Sequence, residues 1–145
     1  MDVDEIISAL ENDNNEHMTN LSYSKELQKK NNVLDDLELN NEEKTDFLKK
    51  LENYVYVDDM PALHHGSYIR WIPLANPERI YLTNGGHICD INICNKGSSV
   101  VCKCKSFQKP IYLQVKMEEA FFFRKLNNQE KVLMQVIKYL EEKEG

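Results

Sequence analysis

No apolar run in the 145-residue chain approaches the ~18 residues that a membrane-spanning helix needs. The N-terminus, Met1-Asp2-Val3-Asp4-Glu5, is acidic and lacks the basic and apolar regions of a signal peptide. The expected setting is therefore cytoplasmic, with no membrane partner, or a particle assembled in the cytoplasm. Asn20-Leu21-Ser22 has the form of a glycosylation acceptor, and without a secretory signal it reads as a chance match. Catalytic motifs are missing as well: there is no Gly-x-Gly-x-x-Gly, Walker loop, Gly-x-Ser-x-Gly or His-Glu-x-x-His. The acidic pairs Asp35-Asp36, Asp58-Asp59 and Glu118-Glu119 are neighbours in sequence only and read as solvated faces or loops. The chain is expected to be no enzyme, with no catalytic residue and no cofactor.

Zinc-site spacing is also lacking. Structural zinc sites favour cysteine pairs two to four residues apart on glycine-rich knuckles. Cys89, Cys94, Cys102 and Cys104 do not follow that pattern. Cys102-x-Cys104 lies inside a strand alternation and reads as a pair of core thiols, since cysteine behaves as a small hydrophobe. A disulfide is not expected in a reducing compartment. His64 and His65 are adjacent on an extended stretch and point to opposite sides, and His87 flanks a turn. No metal ligand is assigned.

What is present is an uneven charge. The net charge is −6. Residues 1–59 hold 16 acidic and 6 basic side chains, and residues 60–145 hold 8 and 12, giving −10 and +4. The stretch 92–117 carries Lys96, Lys103, Lys105, Lys109 and Lys116 and no carboxylate. Such a contrast reads either as an anionic partner for the basic half or as attraction between the halves.

Periodicity divides the chain at the same place. Val3, Ile6, Ile7 and Leu10 mark one face of a short helix, followed by the polar run 11–16. A weaker helical pattern, interrupted at Asn31-Asn32, runs from Tyr23 to about Leu39. Asn40 and Glu43 form a capping box for a helix reaching Val55, and Pro61 stops the chain from continuing it. From Gly66 the repeat becomes two. Strands are expected at 68–72, 79–82, 88–94, 100–105 and 111–117, with a short one at 121–123. Asn84-Gly85-Gly86 is the sharpest turn. Cys89, Ile91 and Ile93 are expected on one face, as are Val100, Cys102 and Cys104, and Ile111, Leu113, Val115 and Met117. A closing helix starts at Asn127, with Glu130 completing a capping box and Val132, Leu133, Val136, Ile137 and Leu140 as its buried stripe. It is expected to cover an open face or end of the sheet. The predicted fold is α+β: an acidic helical N-terminal segment, 1–59, then a β-rich domain, 60–145. That domain is an antiparallel five- to six-stranded curled sheet or small barrel with one C-terminal packing helix.

Two surfaces suggest partners. Lys103, Lys105 and Lys116 are expected on the outward face of two strands with Tyr112 among them and Phe107 in the loop between. Basic side chains alternating with aromatics are what a single-stranded nucleic-acid platform requires; an edge kept soluble by lysine has the same composition. The acidic segment, with short amphipathic pieces between polar loops, can dock on a protein partner or fold back on its own sheet.

Three stretches resemble a known group: Gly66-Ser67-Tyr68-Ile69-Arg70-Trp71-Ile72, Leu82-Thr83-Asn84-Gly85-Gly86-His87-Ile88-Cys89-Asp90-Ile91 and Phe123-Arg124-Lys125-Leu126-Asn127-Asn128-Gln129-Glu130-Lys131. Over about residues 56–142 the chain resembles small uncharacterised proteins of giant nucleocytoplasmic DNA viruses. The resemblance implies a host-cytoplasmic setting and a virion or assembly role, and carries no functional residue with it. The first expectation is thus a non-catalytic interaction or structural protein binding a protein partner. The second is a nucleic-acid-binding β-domain using the lysine face.

Overall fold

A computed structural model describes residues 3–12, 22–59, 63–95 and 97–144. Among these the architecture is α+β, with four α-helices and one six-stranded antiparallel sheet. The chain parts into two compact units. One comprises residues up to 32 together with those from 126 onward, and the other comprises 33–125. The division expected at 59/60 follows charge; packing groups the helix and strand before position 59 with the later strands. No described helix is long and apolar enough to cross a membrane.

The first unit is helical. Helix α1 (Val3–Glu11) packs on the closing helix α4 (Asn128–Glu144). Ala9 is its one buried residue; Val3, Ile7 and Leu10 of the expected apolar face are exposed. The polar run after α1 lies, from residue 13, outside the described residues. Helix α2 (Tyr23–Asp35) continues through Asn31, whose side-chain amide donates to the Leu27 carbonyl at 3.0 Å. That bond lets an asparagine remain inside a helix it would otherwise interrupt. The N-terminal amides of α2 are capped from a distance. Glu141 on α4 accepts from the Ser22 hydroxyl at 2.7 Å, the Tyr23 N–H at 3.0 Å and the Ser24 N–H at 3.1 Å. Helix α4 opens on the expected capping box, Glu130 N–H to Asn127 Oδ1 and Asn127 N–H to Glu130 Oε1. Leu133 and Met134 are its buried apolar residues, and Leu140 is exposed rather than closing the stripe.

The second unit holds the sheet. Helix α3 (Asn41–Lys50) has the Asn40–Glu43 capping box but ends at Leu51, short of the predicted Val55. Tyr54–Val57 is strand β1 instead. Its run of aromatic and β-branched residues favours the pleated form once a partner strand is available. There follow β2 (Tyr68–Pro73), β3 (Gly86–Cys94), β4 (Gly97–Cys104), β5 (Ile111–Lys116), one 3-10 turn (Met117–Glu119) and β6 (Ala120–Lys125). The spatial order is β1-β6-β2-β3-β4-β5, so the sheet is open and does not close into a barrel. Residues 79–82, predicted as a strand, stay outside the ladder. Next to them Thr83 uses its hydroxyl, not a strand, to accept the Trp71 N–H, at 3.1 Å.

Opposed residues of antiparallel strands share a face, and the register sorts the sheet into two. Val57, Ile69, Trp71, Ile88, Val100, Cys102 and Phe122 form one buried cluster on one side. On the other side Tyr54, Ile72 and Phe123 pack against Val33, Leu34, Phe47 and Leu51. Those helical residues pack against β1, β6 and β2, while on the same side His87, Lys103 and Tyr112 of β3, β4 and β5 are exposed.

Candidate nucleic-acid interface

Strand β4 alternates as its sequence predicts. Val100 and Cys102 are fully buried, and Lys103 is exposed on the opposite side. Strand β3 departs from simple alternation. The register passes from Ile88 opposite Cys102 to Asp90 opposite Val101, which leaves Cys89 as an extra residue in a β-bulge. The bulge returns Ile91 to the core side opposite Val100, and it puts Cys89, expected inside with Ile91, at the surface.

Ahead of the bulge, four strands align one row of side chains on the outer side. Tyr68 is opposite His87, His87 opposite Lys103, and Lys103 opposite Tyr112. The Tyr68 and His87 rings meet edge to face, with centroids 4.9 Å apart. Lys125 Nζ lies 5.7 Å from the Tyr68 centroid, a cation-π contact that extends the row onto β6. The row reads cation, aromatic, imidazole, cation, aromatic. At about 4.8 Å between strands, Tyr68 and Tyr112 stand roughly 14 Å apart. His87, Lys103, Tyr112 and Lys125 are exposed, Tyr112 to 60%.

Beside the row lies an open cleft of about 440 Å³, lined by His87, Lys103, Lys105, Ser106, Gln108 and Lys109 among others and by no carboxylate. Next to His87, Gly86 meets β4 at close range. A Cβ there would sit 2.6 Å from the Lys103 carbonyl oxygen and 2.8 Å from Cys104 Sγ. Only glycine lets β3 and β4 approach this closely.

The structure gathers the predicted residues unequally. Lys103 and Tyr112 are direct partners. Lys105 is one residue beyond β4, so it belongs to the cleft and not to the strand face expected for it. Phe107 is 99% exposed in the β4–β5 loop. Lys116 is opposite Ser99 at the far end of β5. Four residues of strand separate it from the level of Lys103, roughly 13 Å. Lys96 lies outside the described residues. Tyr68, His87 and Lys125, not singled out beforehand, complete the row; strand alternation could have suggested Tyr68, but nothing local marks the three as neighbours. On the core side Ile111 and Leu113, expected inside, are 47% and 44% exposed, because β5 is an edge.

The thiols sort by depth. Burial pushes the Cys102 thiol up to about 12, with Cys104 and then Cys89 adding to the shift. Cys104 is raised by burial and then by Cys89. Cys89 and Cys94 are exposed and donate to the carbonyls of Val101 and Gly97. Among the described residues no group of three His, Cys, Asp or Glu side chains could hold a metal ion.

Exposed lysines at one level of a sheet, interleaved with flat rings, can hold a chain of phosphates while its bases stack. Comparison with known proteins finds no matching family model, no matching curated protein and no matching solved structure.

Proposed function

We propose that the chain is a non-catalytic binding module for single-stranded nucleic acid. The observation that carries this reading is the exposed cross-strand row His87, Lys103 and Tyr112, which half-buried Tyr68 continues toward the helix-covered strands. Tyr112, 60% exposed, offers a ring face for a base, and every base has a stacking face, so the contact tolerates any sequence. Lys103, Lys105 and Lys109 flank the row and would follow the phosphates. His87 adds a further exposed ring to the row. The resemblance to giant-virus proteins makes cytoplasmic single strands the first substrates to try. Polarisation of labelled oligothymidylate at increasing salt tests the reading. Three neutralised phosphates predict a log–log slope of about −2. The triple change Lys103→Glu, Lys105→Glu and Lys109→Glu is expected to abolish binding. An absence of binding by the parent chain, or undiminished binding by the triple variant, ends this proposal.

A second reading, a protein-binding or virion-assembly component, is favoured by a separate feature. Val3, Ile7 and Leu10 form an exposed apolar stripe on α1 at i, i+4 and i+7 spacing, the arrangement of a helix that docks in a groove. A partner that co-purifies from the native source and is released by Ile7→Glu supports it. A partner indifferent to that change does not.

A further inference from the structure

We propose that the cleft beside the row takes the terminal phosphate of a single strand, so that the chain prefers phosphorylated ends to unbroken backbone. The site rests on the single-strand reading above and adds an end preference to it. Its geometry begins with the β4–β5 connection, residues 105–110. The last pair of the ladder is Cys104 with Ile111, and Pro110 has no N–H with which to extend it, so the chain between them loops out. The loop supplies Lys105, Ser106, Gln108 and Lys109 to the cleft, and the sheet supplies His87 and Lys103. Three of these six side chains are lysines, and no carboxylate lines the cleft. The lysine salt bridges among the described residues lie elsewhere, at Lys29, Lys44 and Lys50. Asp90, on the same side of the sheet, is opposite Val101 and accepts the Ile91 N–H at 2.9 Å. Like charges around one cleft repel one another unless they share an anion.

Charge selects an end over a passing strand. A strand that runs through presents one negative charge per nucleotide. A terminal phosphate carries nearly two and offers three strong acceptor oxygens. Lys103, Lys105 and Lys109 line a single space of about 440 Å³, so their charge is gathered at one place and not spread along a line. A terminal phosphate with the diester that follows it brings roughly three charges, which matches the three lysines. The Ser106 hydroxyl and the Gln108 amide can donate to oxygens the lysines leave. Rings for the first base adjoin the cleft. Tyr112 is opposite Lys103. Phe107, between Ser106 and Gln108, is 99% exposed and adds nothing to the core. An exposed ring beside a phosphate site is placed to stack on the base that the phosphate carries.

Polarisation of internally labelled oligothymidylates of one length tests the preference with the full chain. The strands end in a 5′-phosphate, a 3′-phosphate or hydroxyls only. One phosphorylated end is expected to bind about tenfold more tightly than the hydroxyl-ended strand, the effect of one or two charge-assisted contacts. Whichever end gains gives the direction of the strand in the cleft. Methyl esterification of that phosphate removes its second charge and is expected to remove most of the gain. The double change Lys105→Ala and Lys109→Ala, both in the exposed loop, should bring the ratio of the two affinities toward one. Tyr112→Ala should weaken both strands and leave the ratio near its parent value. Binding of the hydroxyl-ended strand with no gain from either phosphate overturns the end preference alone, while binding of no strand ends the single-strand reading with it. A ratio that survives the double change, or a methyl ester as tight as the free phosphate, also overturns the proposal. So does a phosphoserine peptide that displaces the oligonucleotide at equal concentration, because bases and rings would then contribute nothing.

Discussion

Lys103 and Tyr112 stand directly opposite each other across β4 and β5 on the open side of the sheet, while Cys102, one residue before Lys103, is completely buried on the other. The outer pair can therefore be altered without touching the core.

Tyr112→Ala is expected to weaken binding of a short single-stranded oligonucleotide by roughly five- to 150-fold, the equivalent of about 1–3 kcal/mol for one stacked base. Its urea midpoint should stay near that of the parent chain, because the ring is 60% exposed. Lys103→Ala should instead make the salt dependence shallower, by about 0.7 in the log–log slope. Polarisation titrations at three salt concentrations separate the two effects. A large fall in stability with Tyr112→Ala would show the ring to be part of the fold.

Alkaline pH should destabilise the sheet through Cys102. Its ordinary value is 9.0, and burial holds the thiol up to about 12 in the folded chain. Between these values the unfolded chain has lost a proton that the folded chain keeps. Stability is thus complete below pH 9 and falls as pH rises toward 12. Urea unfolding from pH 7.5 to 10.5 should show the decline, and Cys102→Ala should flatten it, while lowering stability at neutral pH by about 1 kcal/mol. A thiol reagent at pH 8 should modify Cys89 and Cys94 and spare Cys102.

Two glycines with the same backbone angle should respond differently to alanine. Gly85 and Gly66 both have φ +84°. At Gly85 a Cβ would lie 2.1 Å from the Ile69 carbonyl oxygen, and backbone cannot yield as a side chain does. At Gly66 it would meet nothing within 4 Å. Gly66→Ala carries only the left-handed strain, about 1 kcal/mol. Gly85→Ala adds the clash and should cost on the order of 3 kcal/mol. Equal thermal shifts for the two variants would contradict the close approach of the turn to β2.

Acid should loosen the start of α2. The Glu141 carboxyl is held below its ordinary value, chiefly by the Ser22 hydroxyl and then by bonds from Ser24 and Tyr23. A depressed carboxylate contributes stability that is present above the ordinary value of 4.5 and is lost as pH falls through the lowered one. Protection of the Tyr23 and Ser24 amides from hydrogen exchange, relative to the intrinsic rate at each pH, should fall below pH 4.5. Glu141→Ala should show the low protection throughout and lose the acid step.

Much of this fold is local and could be read from neighbours in the chain. The two capping boxes, Asn40 with Glu43 and Asn127 with Glu130, form where expected because each joins residues three apart. The burial of Cys102 and exposure of Lys103 follow from the two-residue repeat of an extended backbone. Residues 54–57 misled the reading because Tyr-Val-Tyr-Val prolongs a helical stripe and is equally suited to a strand. Pairing with β6, some seventy positions later, decided between them. Cys89 misled it because a bulge is a mismatch between two strands and leaves no mark in either one alone.

Local periodicity was enough to assign helices, the β-rich middle and the side on which each β4 residue falls, since backbone geometry sets these within a few residues. The alignment of Tyr68, His87, Lys103 and Tyr112, the exposure of Ile111 and Leu113, and the open sheet came from the order and register of strands. Those depend on packing between segments remote in the chain, where a one-residue slip reverses every face.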